Sequence, residues 1–186
     1  MAGKLDRIIV IDLEATCWDG PTPPDQESEI IEVGVCMLDV KTGERSQKQS
    51  IIVKPERSRV SEFCTELTTL TQADVEHGVS FEHACQILRR KFRVRDRTWA
   101  SYGDYDRRQF IKQCDQKGIK YPLSATHINV KNMMAVLYGL HSEVGLVQAM
   151  AIMDLPLEGI HHRGHDDAWN IAALLAKMLQ QWRNGH

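Results

Sequence analysis

The clearest hydrophobic pattern of the chain lies near its N-terminus, where the β-branched run 8–11 leads into Asp12 and Glu14. Consecutive β-branched residues predict a strand that is covered on both faces. Side chains alternate along a strand, so Asp12 and Glu14 lie on the same face as Ile8 and Val10. The pattern therefore predicts two carboxylates at the end of a buried strand, where a divalent cation between them would relieve their repulsion.

Two further strands follow and predict an antiparallel meander. Strands are predicted over 29–39, which is mostly apolar, and over 46–54, which ends in an apolar run before Pro55, and the segment 41–44 between them has the composition of a tight turn. Short connections of this kind join antiparallel neighbours. The proline-rich segment 15–28 predicts an irregular loop beside the two carboxylates, which either connects the strands or contacts a substrate.

The rest of the chain alternates between helical spacing and short apolar runs. Capping residues and apolar spacing predict helices at 61–68, 71–76, 81–92, 105–116, 131–138, 145–153 and 166–182. Short strands are predicted at 97–102 and 127–130, and the segment 156–164 is irregular. This order predicts an α/β protein.

Two aspartates stand at the start of each of the helices predicted over 105–116 and 166–182. The two members of each pair lie on different sides of the helix. One aspartate of each pair lies one turn before the apolar face and points inward, whereas the other is better placed as a cap. The inward residues are Asp106 and Asp167, and the capping residues are Asp104 and Asp166.

Length and composition indicate an ordinary globular chain. It has 186 residues, 42% hydrophobic and 26% charged, and we expect a single domain over 1–186. The net charge of −2 gives no global sign of a nucleic-acid partner, which would then be held by local patches or through metal ions. Widely spaced cysteines without a Cys-x-x-Cys pair indicate reduced thiols, and without a signal-peptide or membrane-spanning pattern we expect a cytoplasmic protein with no membrane association.

The candidate chemistry consists of four inward carboxylates on three elements: Asp12, Glu14, Asp106 and Asp167. A single buried carboxylate is usually neutralised by an arginine or by backbone amides. Four that converge are hard to keep without cations. Two divalent ions roughly 3.5–4 Å apart are the usual apparatus for in-line phosphoryl displacement.

His162 is the candidate general base, because it lies five residues before Asp167 in a turn that contains Gly164. An ordinary histidine pKa of about 6.5 allows proton transfer from water at neutral pH. Two alternatives stay open: a solvent-exposed loop histidine, and a zinc or nickel cluster formed by the histidines of 161–166.

The same residues resemble the DEDDh (DnaQ-like) 3′→5′ exonucleases in order and spacing. The three motifs of that family are similar to Asp12-Leu-Glu14, Gly103-Asp-Tyr-Asp106 and His162-x-x-x-x-Asp167. The strings 12–18 and 63–71 resemble more specifically the enhanced-RNAi (Eri) type exonucleases, which trim RNA ends.

The resemblance implies a ribonuclease-H-like fold, a central mixed five-stranded sheet flanked by helices. It also implies two Mg²⁺ or Mn²⁺ ions and release of 5′-mononucleotides from the 3′ end of single-stranded RNA or DNA. Ala15, Thr16 and Trp18 would line the pocket for the terminal nucleotide. Phe63 and Leu67 would pack on its base or sugar, or would belong to the core instead.

Basic residues could hold the phosphate backbone. Arg107 and Arg108 are phosphate candidates because they adjoin Asp106. The basic run 89–97 either contacts phosphates or forms a solvated helix end.

The sequence thus favours a metal-dependent 3′→5′ exonuclease that acts on single-stranded RNA, with DNA as a further substrate. The alternatives are a DNA proofreading or repair exonuclease and a non-catalytic module that binds RNA ends. Natural substrate, physiological metal and oligomeric state are left undecided.

Overall fold

A computed structural model describes residues 4–185 and contains a five-stranded mixed sheet of order β3–β2–β1–β4–β5. The strands are β1 (Lys4–Ala15), β2 (Ile30–Asp39), β3 (Arg45–Ile52), β4 (Arg97–Ser101) and β5 (His127–Asn129). The first three form the expected antiparallel meander, and β4 and β5 continue the sheet in parallel from β1. This is the mixed five-stranded sheet that the resemblance implies.

Helices cover both faces of this sheet. They are α1 (Glu62–Thr68), α2 (Gln72–Glu76), α3 (Phe81–Ile87), α4 (Tyr105–Lys117), α5 (Val130–Leu137), α6 (Leu146–Ile152) and α7 (Gly164–Asn184). The helix expected over 81–92 is α-helical only to Ile87 and continues as the π-helical segment Leu88–Phe92. Leu88 and Phe92 at the two ends of this segment are both fully buried. None of the helices described between residues 4 and 185 is long and apolar enough to cross a membrane.

Strand β1 is buried on both faces, as its β-branched run predicts. Ile9 and Ile11 pack in one hydrophobic cluster with Phe110 of α4. Ile8 and Val10 pack in a second cluster with Ile171 of α7. The residues that follow Val10 on its face of the strand, Asp12 and Glu14, therefore point towards the side of the sheet that α7 covers.

Of the two capping assignments, that of Asp166 is wrong and that of Asp104 is confirmed in position. Arg163, not Asp166, is the N-cap of α7, and Asp166 is buried and accepts hydrogen bonds from Lys48 Nζ at 2.5 Å and from the backbone N–H of Ile160 at 2.8 Å. Asp104 does hold the N-cap position of α4, but its side chain makes no capping hydrogen bond. Its carboxylate pairs instead with Arg108 one turn on, at 3.3 Å.

The start of α7 lies directly against β2 because two glycines meet there. A Cβ atom on Gly34 would lie 1.8 Å from the carbonyl carbon of Gly164. Any larger residue at position 34 would push the helix away from the sheet. This close approach fixes the N-terminal turn of α7, which carries Asp167, beside the ends of β1 and β2.

Candidate active site

The carboxylates at the end of β1 and at the start of α7 converge. Carboxylate oxygens of Asp12, Glu14 and Asp167 lie within 4.8 Å of one another. Glu14 and Asp167 are buried, and Asp12 is half-buried. Three acidic oxygens at this spacing form a donor set of the kind that hard divalent cations prefer.

Asp106 joins the same group from the first turn of α4. It is 4% exposed, and its Oδ1 accepts a hydrogen bond from the backbone N–H of Leu13 at 2.9 Å. Since Leu13 lies between Asp12 and Glu14, this bond ties the start of α4 to the acidic end of β1. The structure thus brings together all four carboxylates that the sequence singles out, in one open cleft of about 390 Å³.

The cluster holds more negative charge than its protein surroundings neutralise. Burial and the negative charges of neighbouring carboxylates raise the pKa of Asp12 well above its ordinary value. Burial, followed by the charges of Asp167 and Glu32, raises the pKa of Glu14 to about 9. Burial also raises the pKa of Asp106 to about 7. Bound divalent cations would favour the ionised form of these groups, so the residues present fit a metal centre.

The two histidines beside Asp167 contact it in different ways. His161 Nδ1 lies 2.9 Å from Asp167 Oδ2, whereas His162 donates its backbone N–H to the same oxygen at 2.9 Å. The two rings stack with centroids 3.9 Å apart, and His162 has a left-handed backbone with φ of 63°. Burial, and then the nearby His161, lower the pKa of His162. The ring is therefore neutral at pH 7 and able to accept a proton.

Only part of the histidine-rich segment could form the alternative metal cluster. His161 and His162 offer nitrogen atoms within 4.8 Å of an Asp167 oxygen. His165 is directed elsewhere, because its Nδ1 lies 2.8 Å from Glu32 Oε1. A cluster of all three histidines is therefore not formed.

Glu32, on the neighbouring strand β2, holds residues beside the site in place through hydrogen bonds. The sequence alone did not predict this role. It is fully buried on β2 and accepts hydrogen bonds from Arg163 Nε at 3.2 Å and from the backbone N–H of Gly164 at 3.1 Å. With His165 it thereby fixes three consecutive residues just after His162. A charged residue inside the apolar run of β2 is the one sequence signal that could have drawn attention to it.

Of the residues assigned to the nucleotide pocket by resemblance, Ala15 and Leu67 line the cleft beside the carboxylates. The assignment of Thr16 needs correction, because its side chain is fully buried. Its hydroxyl donates to the carbonyl of Glu27 at 3.0 Å and accepts the backbone N–H of Glu29 at 2.9 Å, which closes the loop after β1.

Trp18 and Phe63 are not among the residues that line this cleft. Trp18 is half-buried and lies outside the set of residues that line the cleft. Phe63, on α1, is 37% exposed, so the alternative that it belongs to the core is wrong. The cleft is lined instead by further residues that the sequence did not single out: Cys17, Tyr102, Tyr105 and Lys131.

Neither arginine next to Asp106 lines the carboxylate cleft. Arg108 has a side chain 78% exposed and borders a neighbouring hollow. Arg107 is exposed and acts electrostatically on Tyr121 and His127, towards the β5 edge of the sheet. Members of the basic run 89–97 also have partners within the chain, such as Asp96 for Arg93 at 3.0 Å.

Comparison with known proteins identifies relatives of this chain. Residues 9–175 match the family described as Exonuclease (RNase_T). The 3′-5′ exonuclease Snipper of Drosophila melanogaster is 31% identical over 93% of this chain and 69% of its own length. The human 3′-5′ exoribonuclease 1 is 31% identical over 94% of this chain but only 53% of its own length, so the chain spans about half of that relative.

A solved structure with a similar fold aligns with nearly the whole chain. The nuclease domain of 3′hExo, described as a DEDDh family member bound to rAMP, superimposes with a TM-score of 0.87 at 29% identity. The match covers 97% of this chain and 95% of that domain. The mixed sheet, the order of the motifs and the convergent carboxylates are thus features of a ribonuclease-H-like exonuclease fold.

Proposed function

The chain belongs to the exonuclease (RNase_T) family, in its DEDDh branch, and on this premise we propose that it hydrolyses single-stranded RNA from the 3′ end and releases 5′-mononucleotides. The observation that carries the proposal is the convergence of Asp12, Glu14 and Asp167 within 4.8 Å, with Asp106 in the same cleft. A neutral histidine borders the same cleft.

In this proposal the four carboxylates hold two divalent cations, Mg²⁺ or Mn²⁺. When bound, such ions stabilise the charge that develops on the phosphoryl oxygens and assist ionisation of water. The protein orients the ligands: the Leu13 amide fixes Asp106, and the His162 amide together with the His161 ring fixes Asp167. Ligands held by the backbone cost little reorganisation during the reaction.

His162 acts as general base in this account. Its ring is half-buried in the wall of the cleft, and its lowered pKa keeps it unprotonated at neutral pH. It would accept the proton of the attacking water while the 3′ oxygen of the remaining strand leaves. Ala15 and Leu67 line the cleft and would contact the terminal nucleotide.

RNA is proposed as the main substrate and DNA as a further one. The human relative is named as an exoribonuclease, whereas the Drosophila relative is named only as an exonuclease.

A direct test uses 5′-labelled single-stranded RNA and matched DNA with either a free 3′ hydroxyl or a 3′ phosphate. We expect stepwise shortening from a free 3′ end in Mg²⁺, release of 5′-mononucleotides, strong inhibition by a 3′ phosphate and none of this activity in EDTA. Asp12→Asn protein, purified identically, controls for contaminating nucleases. Activity that persists in EDTA, that ignores the state of the 3′ end, or that is equal in the variant would overturn the proposal.

A further inference from the structure

The charged residues that line the cleft are mostly acidic, but one of them is basic. Among the described residues that line it, Lys131 is the only lysine or arginine. Lys131 lies in the first turn of α5, directly after β5. An RNA strand is a polyanion, and a cleft formed around four carboxylates repels every phosphate that no cation compensates.

The cleft continues past Lys131 into a second hollow. Tyr102, Tyr105 and Lys131 line both spaces, so that the two are contiguous. The second hollow is also bordered by Arg108 and Asn129. The groove therefore extends beyond the carboxylates on this side and has room for more of a strand than its terminal nucleotide.

The order of the strands gives the groove a direction. Strand β1, which carries Asp12 and Glu14, lies between β2 and β4. Leu67 belongs to α1, whose Cys64 packs with Ile31 of β2, whereas Lys131 follows β5 on the opposite side of the sheet. The Leu67 end and the Lys131 end of the groove thus flank the carboxylates. A strand whose terminal nucleotide occupied the Leu67 end would pass the carboxylates towards the Lys131 end.

We propose that Lys131 binds the phosphate immediately 5′ of the scissile linkage and that this contact makes the protein favour oligonucleotides over shorter substrates. The proposal rests on the function proposed above and assigns one more residue to substrate binding. A lysine ammonium suits this task, since it binds phosphate as a compact point charge without a fixed geometry.

Lys131 is available for such a contact. Its nearest acidic partner, Glu143, lies 3.6 Å away, and the two side chains are 31% and 43% exposed. An ion pair that is this long and this solvated holds the lysine only weakly. Arg108 is a poorer candidate, because it borders only the second hollow and does not line the carboxylate cleft.

The test pairs a change in the protein with a change in the substrate. Lys131→Gln and wild-type protein would be compared on an RNA oligonucleotide with natural linkages and on the same oligonucleotide with one uncharged methylphosphonate 5′ of the scissile linkage. We expect the variant to raise KM for the natural strand about five- to tenfold with little change in kcat, and to lower the salt dependence of binding by about one phosphate contact. The methylphosphonate should raise KM for wild type by a similar factor and have no further effect on the variant.

Two further variants and a binding measurement make the result decisive. Lys131→Arg keeps the charge and should restore KM, and Lys112→Gln, exposed on α4 outside the cleft, should match wild type on both substrates. Binding of both oligonucleotides in Ca²⁺, measured by fluorescence anisotropy, gives the same comparison without hydrolysis. If wild type binds in this way but does not hydrolyse, the proposed function fails and the role of Lys131 is still decided. Equal sensitivity of wild type and Lys131→Gln to the methylphosphonate, or a loss of kcat with unchanged KM, would overturn the assignment.

Discussion

Glu14 and Glu32 lie directly opposite each other on β1 and β2, yet the pKa values of the two buried carboxyls are shifted in opposite directions. Burial and the charges of Asp167 and Glu32 raise the pKa of Glu14 to about 9. Burial also acts to raise that of Glu32, but hydrogen bonds such as the one to His165 and the positive charge of Arg163 outweigh it and leave the pKa lowered. The protein itself neutralises Glu32, whereas in the proposed metal centre an ion from solution would neutralise Glu14.

This difference predicts how pH and Mg²⁺ act on stability. A carboxyl whose pKa is raised on folding contributes stability below its unfolded value, here 4.5, and that contribution is lost as pH rises towards about 9. In EDTA the melting temperature should therefore fall from about pH 5 to about pH 9, and the stabilisation by Mg²⁺ should grow over the same range. Calorimetry at a series of pH values measures both.

Glu14→Gln provides the matched control, since it removes one charge at constant volume. The variant should be less sensitive to pH in EDTA and should gain less from Mg²⁺. Stabilisation by Mg²⁺ that is absent, or that is the same at both ends of the pH range, would contradict the view that these carboxylates hold the ions.

A second prediction separates the general base from the metal ligands. His162→Ala should reduce kcat by about 10²–10⁴-fold, because proton transfer from water loses its acceptor. Its affinity for Mn²⁺ should stay near that of wild type, because the residue acts on Asp167 through its backbone N–H, which alanine keeps. Steady-state kinetics and calorimetric titration with Mn²⁺ provide the two readouts.

Asp12→Asn should behave differently and weaken Mn²⁺ binding itself. If His162→Ala and Asp12→Asn lose the same amount of Mn²⁺ affinity, then His162 is a ligand and not a base. That result would instead favour a metal site formed by the histidine pair and Asp167, whose donor atoms lie within 4.8 Å of one another.

A third prediction concerns Glu32, which holds residues 163–165 through hydrogen bonds. Glu32→Ala removes the carboxylate that accepts from Arg163 and from the Gly164 amide, and leaves the guanidinium and this backbone N–H without that acceptor. We expect a loss of about 3 kcal/mol or more in the free energy of unfolding, measured by urea denaturation. Glu44→Ala, exposed on the turn between β2 and β3, should change this free energy by less than about 0.5 kcal/mol.

Turnover should also fall in Glu32→Ala, since residues 163–165 connect His162 to Asp167. Full activity in a folded Glu32→Ala protein would show that this segment does not need its buried acceptor for catalysis.

Much of the fold and the acidic centre follows from periodicity within single elements. The β-branched run predicts the two-sided burial of β1, and helical spacing predicts that Asp106 and Asp167 face inward. Such patterns are local, so each element shows its buried face in its own sequence. The capping box at Thr71 and Asp74 was predictable for the same reason.

The features that sequence reasoning missed depend on partners far away in the chain. Asp166 has the position of a helix cap, but its partner Lys48 lies 118 residues earlier. Glu32 binds Arg163, 131 residues later, and Lys131 reaches the cleft only because β5 joins the sheet beside β4. Thr16 stands in a motif that suggests a pocket, yet its hydroxyl is used by the loop that follows it. No local pattern encodes these contacts.

The measurement that bears most directly on the central claim is a crystal structure with Mn²⁺ and a 5′-mononucleotide, with anomalous data collected for manganese. The account predicts two manganese peaks among Asp12, Glu14, Asp106 and Asp167, with the phosphate of the nucleotide against them. No peak at these carboxylates, or a single ion held by His161 and His162 away from Asp12, would contradict it.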